Sequence, residues 1–221
     1  MSIKGVIFDF NGTLFWDTAL HNRAWDQFLE KNRIFLSDEE KNIRIHGKNN
    51  IDILKNLFAR ELEPAEIARM SIEKEDIYQS MCLEHKLGLA PGCVTFFKFL
   101  MRNRIPFTIA TAADLYNIDF YFEYLHMGAY FDKSKVVYSD GTIASKPDPE
   151  IFIKALGILG LHANDVLIFE DSNAGIEAAE NAGAGKIMIV DSNKSDYSRW
   201  KHQVISSFEE VDRVQFETNT G

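Results

Sequence analysis

An α/β fold, with a doubly wound parallel sheet carrying an inserted block of helices, is the class this chain of 221 residues predicts. Three observations carry that prediction. Residues 3–9 form a near-continuous apolar run ending in a carboxylate, the pattern of a strand buried on both faces. Similar runs recur much later, at 106–111, 166–170 and 186–190, with a weaker one at 204–208, and helical patterns separate them. Between the first run and the second lies a long stretch of helical periodicity with no strand.

Taken in order, the first strand ends at Asp9 and turns at Gly12. Leu20, Ala24, Trp25, Phe28 and Leu29 make the stripe of a helix starting near Asp17, which reads as its N-cap. Ser37 and Glu40 form a capping box for a second helix. Ile51, Leu54, Leu57 and Phe58 mark a third, and Pro64 opens a fourth that carries Ile67, Met70, Ile77 and Met81. These helices predict a small separate domain over residues 17–87, set into a Rossmann-like core of residues 1–16 and 88–221. The linkers fall at residues 14–17 and at the turn-rich stretch 88–92. Further on, Lys146-Pro-Asp-Pro149 is a rigid turn into a helix over 150–156, and Ser172–Gly175 opens a helix over 176–181. The polar residues 215–221 are expected to fray.

Composition narrows the function classes. With 46% hydrophobic and 26% charged residues the chain reads as globular, not as disordered or coiled coil. The 33 acidic against 24 basic residues, a net charge of −9, argue against nucleic acid and anionic membrane as partners. No apolar run approaches the roughly 18–20 residues of a membrane helix, and the polar start is too short for a signal peptide. Cys82 and Cys93 are too few for a disulfide framework or a zinc site, which predicts a cytoplasmic protein, expected to be a monomer. An anionic substrate would need a locally positive pocket.

Chemistry concentrates at the strand ends. Asp9, Thr111, Glu170 and Asp171 all fall at carboxyl ends of strands, where doubly wound sheets bind ligands. Three acids at that rim form a hard all-oxygen set suited to Mg²⁺; taken one at a time, each reads equally well as a helix cap. Lys146, held by its prolines, would point back at this set as a phosphate clamp, where a lone lysine would be a solvated charge.

In this order, Asp9-x-Asn11-x-Thr13, Thr111, Lys146-Pro147 and Glu170-Asp171 resemble the four motifs of the haloacid dehalogenase-like hydrolase superfamily, across about residues 3–190. Asp17-Thr18-Ala19, His21, Arg23-Ala24-Trp25, Pro91-Gly92, Ser145 and Ser172-x-Ala174-Gly175 further resemble its β-phosphoglucomutase-like subfamily, which has a small helical cap. The resemblance implies that Asp9 is the nucleophile and forms an aspartyl-phosphate. It implies Mg²⁺ held by Asp9, the Asn11 carbonyl and Asp171, with Glu170 acting through water or as orienter. Thr111 and Lys146 would hold the phosphoryl oxygens, with Gly12 and Ala112 beside them. His21, Lys48, Asn50 and Lys74 of the cap would read the leaving group of a small phosphorylated metabolite.

Several positions depart from the family pattern. Where phosphatases and mutases of this superfamily carry a second aspartate, this chain has Asn11. An amide cannot donate and retrieve a proton, and losing general acid–base help typically costs ~10²–10⁴-fold. Ala113 and Asp114 stand where the mutases have a serine and a lysine for a second phosphate, and Asn50 stands for a cap arginine, with Lys48 a weak substitute. His21 and Lys74 match cap residues, but His21 reads equally as a core or surface histidine. Lys74, inside the run Glu73-Lys-Glu-Asp76, reads as part of a solvated face. The expectation is slow Mg²⁺-dependent hydrolysis of a small (sugar) phosphomonoester. The alternatives are a β-phosphoglucomutase-type hexose phosphate mutase and a non-catalytic phosphometabolite binder, with Schiff-base cleavage of a phosphonate at Lys48 behind them.

Overall fold

A computed structural model of the chain describes residues 2–45, 47–58 and 60–216; of the expected frayed end, 217–221 lie outside the described residues. The apolar runs become strands β1 (Gly5–Phe8), β2 (Phe107–Asp114), β4 (Val166–Glu170), β5 (Lys186–Val190) and β6 (Gln203–Ile205). A further strand, β3 (Val137–Ser139), escapes sequence reading because only three residues pair, at the sheet edge. All neighbours are parallel, in the order β3-β2-β1-β4-β5-β6. β2 runs three residues beyond its expected end at Thr111, and β6 stops at Ile205, leaving Phe208 in a short turn with its ring in the core.

Alternation along the strands sends side chains to both faces, and both faces are covered. Ile7, Ile168 and Ile187 belong to one apolar layer, whereas Val6, Phe8, Leu167 and Phe169 belong to the other. The second layer is aromatic. Phe8 stacks on Phe169 with centroids 5.2 Å apart and meets Phe97 edge-on at 5.6 Å. These two rings sit one residue before Asp9 and Glu170, so their packing fixes where both carboxylates leave the sheet. Truncating Phe8 to alanine would cost ~3–5 kcal/mol of stability.

The helices covering the sheet are α5 (Cys93–Arg102), α6 (Leu115–Tyr124), α7 (Glu150–Leu159) and α8 (Asn173–Asn181), the last two longer than their sequence patterns suggest. The inserted block comprises α1 (Thr18–Lys31), α2 (Asp38–Arg44), α3 (Asn50–Leu57) and α4 (Pro64–His85). The Ser37–Glu40 capping box and Pro64 at the start of α4 are both present. Trp25, Phe28, Leu29, Ile53, Leu54, Ile67 and Met70 form a core of the block's own, while Leu20, Tyr78, Met81 and Cys82 join the aromatic layer of the sheet. The two linkers run side by side: Ala90 N–H donates to Leu14 O at 2.8 Å, and Phe15 bridges to Leu89. Among the described residues, no helix is long and apolar enough to cross a membrane.

Candidate active site

Strand order reverses between β1 and β4, and there Phe8 lies opposite Phe169, so Asp9 and Glu170 emerge together. Lys146 arrives from the loop after β3, across a cis Lys146–Pro147 peptide, and is buried. Its ammonium donates to Asp9 Oδ1 at 2.6 Å and to Glu170 Oε1 at 2.5 Å. Burial pulls this lysine down, but the two carboxylates outweigh it and hold the ammonium above its ordinary value. The other Glu170 oxygen accepts the Asp171 and Ser172 N–H groups at 2.8 and 2.9 Å, at the entrance to α8. Gly175 makes room for this: a Cβ there would fall 1.8 Å from Glu170 Oε1. Gly12, at φ +78°, does the same for Asp171, whose Oδ2 would lie 2.1 Å from an added Cβ. Thr13 Oγ1 donates to Asp171 Oδ1 at 3.1 Å, and Tyr197 OH donates to the Asp171 carbonyl at 2.7 Å.

Asp9, Glu170 and Asp171 each bring a carboxylate oxygen to within 4.8 Å of the others. Three carboxylates against one ammonium leave a buried excess of negative charge. Burial, reinforced by the charge of Glu170 and opposed by Lys146, pushes Asp9 up to about 7. Burial and repulsion from Glu170 and Asp9 hold Asp171 well above the carboxylate range. An all-oxygen set under such strain fits a hard divalent cation such as Mg²⁺, whose charge would relieve it. Thr111 is buried at the same rim, its Oγ1 accepting the Ala113 N–H at 3.2 Å, and Ala112 lines the adjoining cavity.

Asn11 faces that cavity, but its amide is held elsewhere. Its Nδ2 donates to Asp17 Oδ2 at 2.6 Å and to Tyr121 Oη at 2.7 Å, with Tyr78 Oη at 3.4 Å. Tyr78 itself donates to Asp17, and Gly12 N–H donates to Asp17 Oδ1 at 3.0 Å. One expectation changes here. Asp17 stands at the N-cap position of α1 but makes no side-chain cap bond, because its carboxylate is turned inward to this network. The Gly12 amide is spent on Asp17 and on Phe15 O at 2.7 Å, so it supplies clearance and no free donor for a phosphoryl oxygen. Burial pushes Asp17 up to about 6, against the hydrogen bonds from Tyr78 and Asn11. Sequence reasoning misses Tyr78 and Tyr121; the one signal available for Tyr78 is its place one helical turn after Lys74 on α4.

A cavity of about 700 Å³ separates the strand ends from the inserted helices. His21, Lys48, Asn50 and Lys74 line it, and so does Glu75. Lys74 is not solvated: it is 1% exposed, drawn inward beside the rings of Trp25 and Tyr78 at 5.0 and 5.2 Å. Its ammonium reaches His21 Nδ1 at 2.8 Å and the two Glu75 oxygens at 3.0 and 3.1 Å. A lysine only donates, so His21 Nδ1 accepts. Asn50 Nδ2 donates to Glu75 Oε1 at 2.7 Å and reaches Asp114 Oδ2 at 3.4 Å. The loop carrying Lys48 lies on the core, with Asn49 N–H donating to Ser145 Oγ at 3.1 Å. Asn49 caps α3, and Trp16 donates to Thr13 O at 3.2 Å; neither is among the cavity-lining residues.

A parallel sheet with its acids and lysine gathered at the switch point, and a helical block inserted after the first strand, defines a hydrolase of the haloacid dehalogenase type. The family model of haloacid dehalogenase-like hydrolases matches residues 3–183, and the chain belongs to that family. It is 27% identical over 191 residues to the phosphorylated carbohydrates phosphatase of Thermotoga maritima, covering 85% of both chains. It is 26% identical over 190 residues to the β-phosphoglucomutase of Bacillus subtilis, covering 82% of this chain and 80% of that one. It is also 26% identical over 196 residues to the chloroplastic 5-amino-6-(5-phospho-D-ribitylamino)uracil phosphatase of Arabidopsis thaliana; the match takes in 87% of this chain but only 51% of that protein. Among solved structures, a HAD hydrolase of family IA, variant 3, from Entamoeba histolytica superposes with a TM-score of 0.84 at 30% identity, covering 96% of this chain and 97% of that one.

Proposed function

We propose that this protein hydrolyses a small phosphomonoester, a sugar phosphate, through an aspartyl-phosphate at Asp9. The observation that carries the reading is the contact of Lys146 with both Asp9 and Glu170 beside Asp171, in a buried pocket at the sheet's switch point. The named phosphatases and the mutase among its relatives support the same chemistry. Asp9 attacks phosphorus with one carboxylate oxygen as the ester P–O bond breaks, and the leaving oxygen takes its proton from water. A second water then attacks phosphorus, releasing orthophosphate and restoring Asp9. Lys146 and the Thr111 hydroxyl hold the phosphoryl oxygens as charge develops. Asp9, Asp171 and the Asn11 carbonyl would hold Mg²⁺, with Glu170 orienting Lys146 and the loop. The cation would supply charge neutralisation between the carboxylates and the incoming phosphate.

Asn11 has no proton to give the leaving alcohol, and its NH₂ is bound to Asp17 and Tyr121. Turnover is therefore slowed at both the formation and the breakdown of the phospho-enzyme. Residues 17–87 act as a cap over a core of 1–16 and 88–221, hinged where the paired linkers meet, and closure excludes water. Two free, buried thiols, Cys82 and Cys93, are in keeping with a reducing cytoplasm, where the protein works as a monomer.

The mutase reading finds support in the β-phosphoglucomutase relative, and Asp114 at the head of α6 argues against it, since an anion there repels a second phosphate. The test is phosphate release from a panel of sugar and polyol phosphates with Mg²⁺, by the wild-type chain, Asn11→Asp and Asp9→Asn. Release by the wild type that vanishes in Asp9→Asn supports hydrolysis. Activity confined to Asn11→Asp would make the native chain a binder of phosphometabolites.

A further inference from the structure

The far end of the cavity, built by α1, α3 and α4, holds a buried ion pair that the phosphoryl chemistry does not use. An ammonium has three protons to donate. Those of Lys74 meet three acceptors, His21 Nδ1 and both oxygens of Glu75. The aromatic faces of Trp25 and Tyr78 enclose the same nitrogen. Glu75 is 2% exposed and is tied a second time, by Asn50 from α3. Behind Asn50 stands the carboxylate of Asp114, on the core side of the cavity. One cation thus faces two carboxylates, and each proton of the Lys74 ammonium already has an acceptor. Lys48, the other cap lysine among the cavity-lining residues, belongs to a loop that packs over the phosphoryl end: a Cβ on Gly47 would lie 3.0 Å from Ala174 Cβ and 4.0 Å from Lys146 Cβ.

We propose that Glu75 is a specificity-determining residue that closes the leaving-group end of the cavity to a second phosphate. The substrate class is then a monophosphate whose alcohol part is an uncharged polyol or sugar, met by amide side chains such as Asn50 and Asn117. A bisphosphate would have to break the Lys74–Glu75 pair and leave Glu75 buried without its cation, a penalty the monophosphate avoids. The inference rests on the phosphoryl-transfer reading, and it narrows that reading by one charged group.

Calorimetric titration of the full chain in Mg²⁺ with glucose 6-phosphate and with glucose 1,6-bisphosphate tests it. The wild type is expected to bind the bisphosphate no more tightly than the monophosphate. Glu75→Gln, which leaves the Lys74 charge for the ligand, should favour the bisphosphate by ~10-fold relative to the wild-type ratio. Replacing Lys74 and Glu75 together by glutamine should return the ratio to the wild-type value. A wild type that prefers the bisphosphate tenfold, or a Glu75→Gln ratio that does not move, overturns the filter and leaves the phosphatase reading intact. If the variants do not fold, the wild-type ratio decides alone. Failure of the wild type to bind either ester sinks the phosphoryl-transfer reading and takes the filter with it.

Discussion

The two ends of the cavity use the same groups, an ammonium among carboxylates, with the cation differently engaged. At the strand ends, three carboxylates share the single ammonium of Lys146, and burial drives Asp9 and Asp171 upward in pKa. At the cap end, the Lys74 ammonium has its protons on Glu75 and His21, and Glu75 is tied in turn to Asn50. An end with surplus charge gains by taking up a cation and, with it, a transferring phosphoryl group. An end whose one cation already has its carboxylate offers nothing to a second phosphate. On the proposed reading, the difference separates the place of phosphoryl transfer from the place where the alcohol is chosen.

The most severe way to break this contrast is Asp9→Asn. It removes the nucleophile and should lower phosphate release by at least ~10³-fold in initial-rate assays; a variant within tenfold of the wild type would clear Asp9 of that role. Next comes Asn11→Asp. The new carboxyl would stand where Asn11 Nδ2 now lies, 2.6 Å from Asp17 Oδ2, so the pair would share a proton at neutral pH and supply the missing acid. Steady-state kinetics should show a gain of ~10²–10⁴-fold. An unchanged rate would mean that another step limits turnover.

Cation binding sharpens the comparison through pH. Asp9 is raised to about 7 and Asp17 to about 6, both chiefly by burial, from an unfolded value of 3.8. Between those limits the folded chain holds more protons than the unfolded one, so the metal-free protein loses stability as pH rises from 4 to 7. Mg²⁺ competes with the proton on Asp9, so its stabilisation should grow over the same range. Thermal melts with Mg²⁺ and with chelator should differ more at pH 8 than at pH 5.5, and Asp171→Asn should erase the difference. The smallest effect is expected from Tyr197→Phe, which removes one hydrogen bond to the Asp171 carbonyl. That loss should weaken Mg²⁺ binding about fivefold by calorimetry, in line with ~1 kcal/mol for one such bond.

Much of the strand-end site is legible in the sequence, because buried parallel strands are written as apolar runs and their last residues stand out. Asp9, Glu170 and Asp171 follow from that pattern alone, Thr111 follows from its apolar run although β2 continues three residues past it, and Lys146 follows from the prolines that aim it. The cap end is less legible. Asp17, Tyr78 and Tyr121 meet around Asn11 from α1, α4 and α6, and no local spacing announces a contact between segments so far apart. Lys74 sits in a run of charges that looks solvated, and only the rings of Trp25 and Tyr78 reveal that it is enclosed. β3 is missed for a plainer reason, since three paired residues make too short a run to stand out.

The central claim is that Asp9 carries the phosphoryl group. The most direct test is to incubate the wild-type chain with Mg²⁺ and a turned-over phosphomonoester, quench, reduce with borohydride and map the peptides by mass spectrometry. An aspartyl-phosphate is reduced to homoserine, and the slow breakdown expected with Asn11 favours its capture. Homoserine at position 9, dependent on both Mg²⁺ and ester, is the predicted result. Ester consumed while residue 9 stays aspartate throughout the time course, or homoserine at another position, would contradict the account.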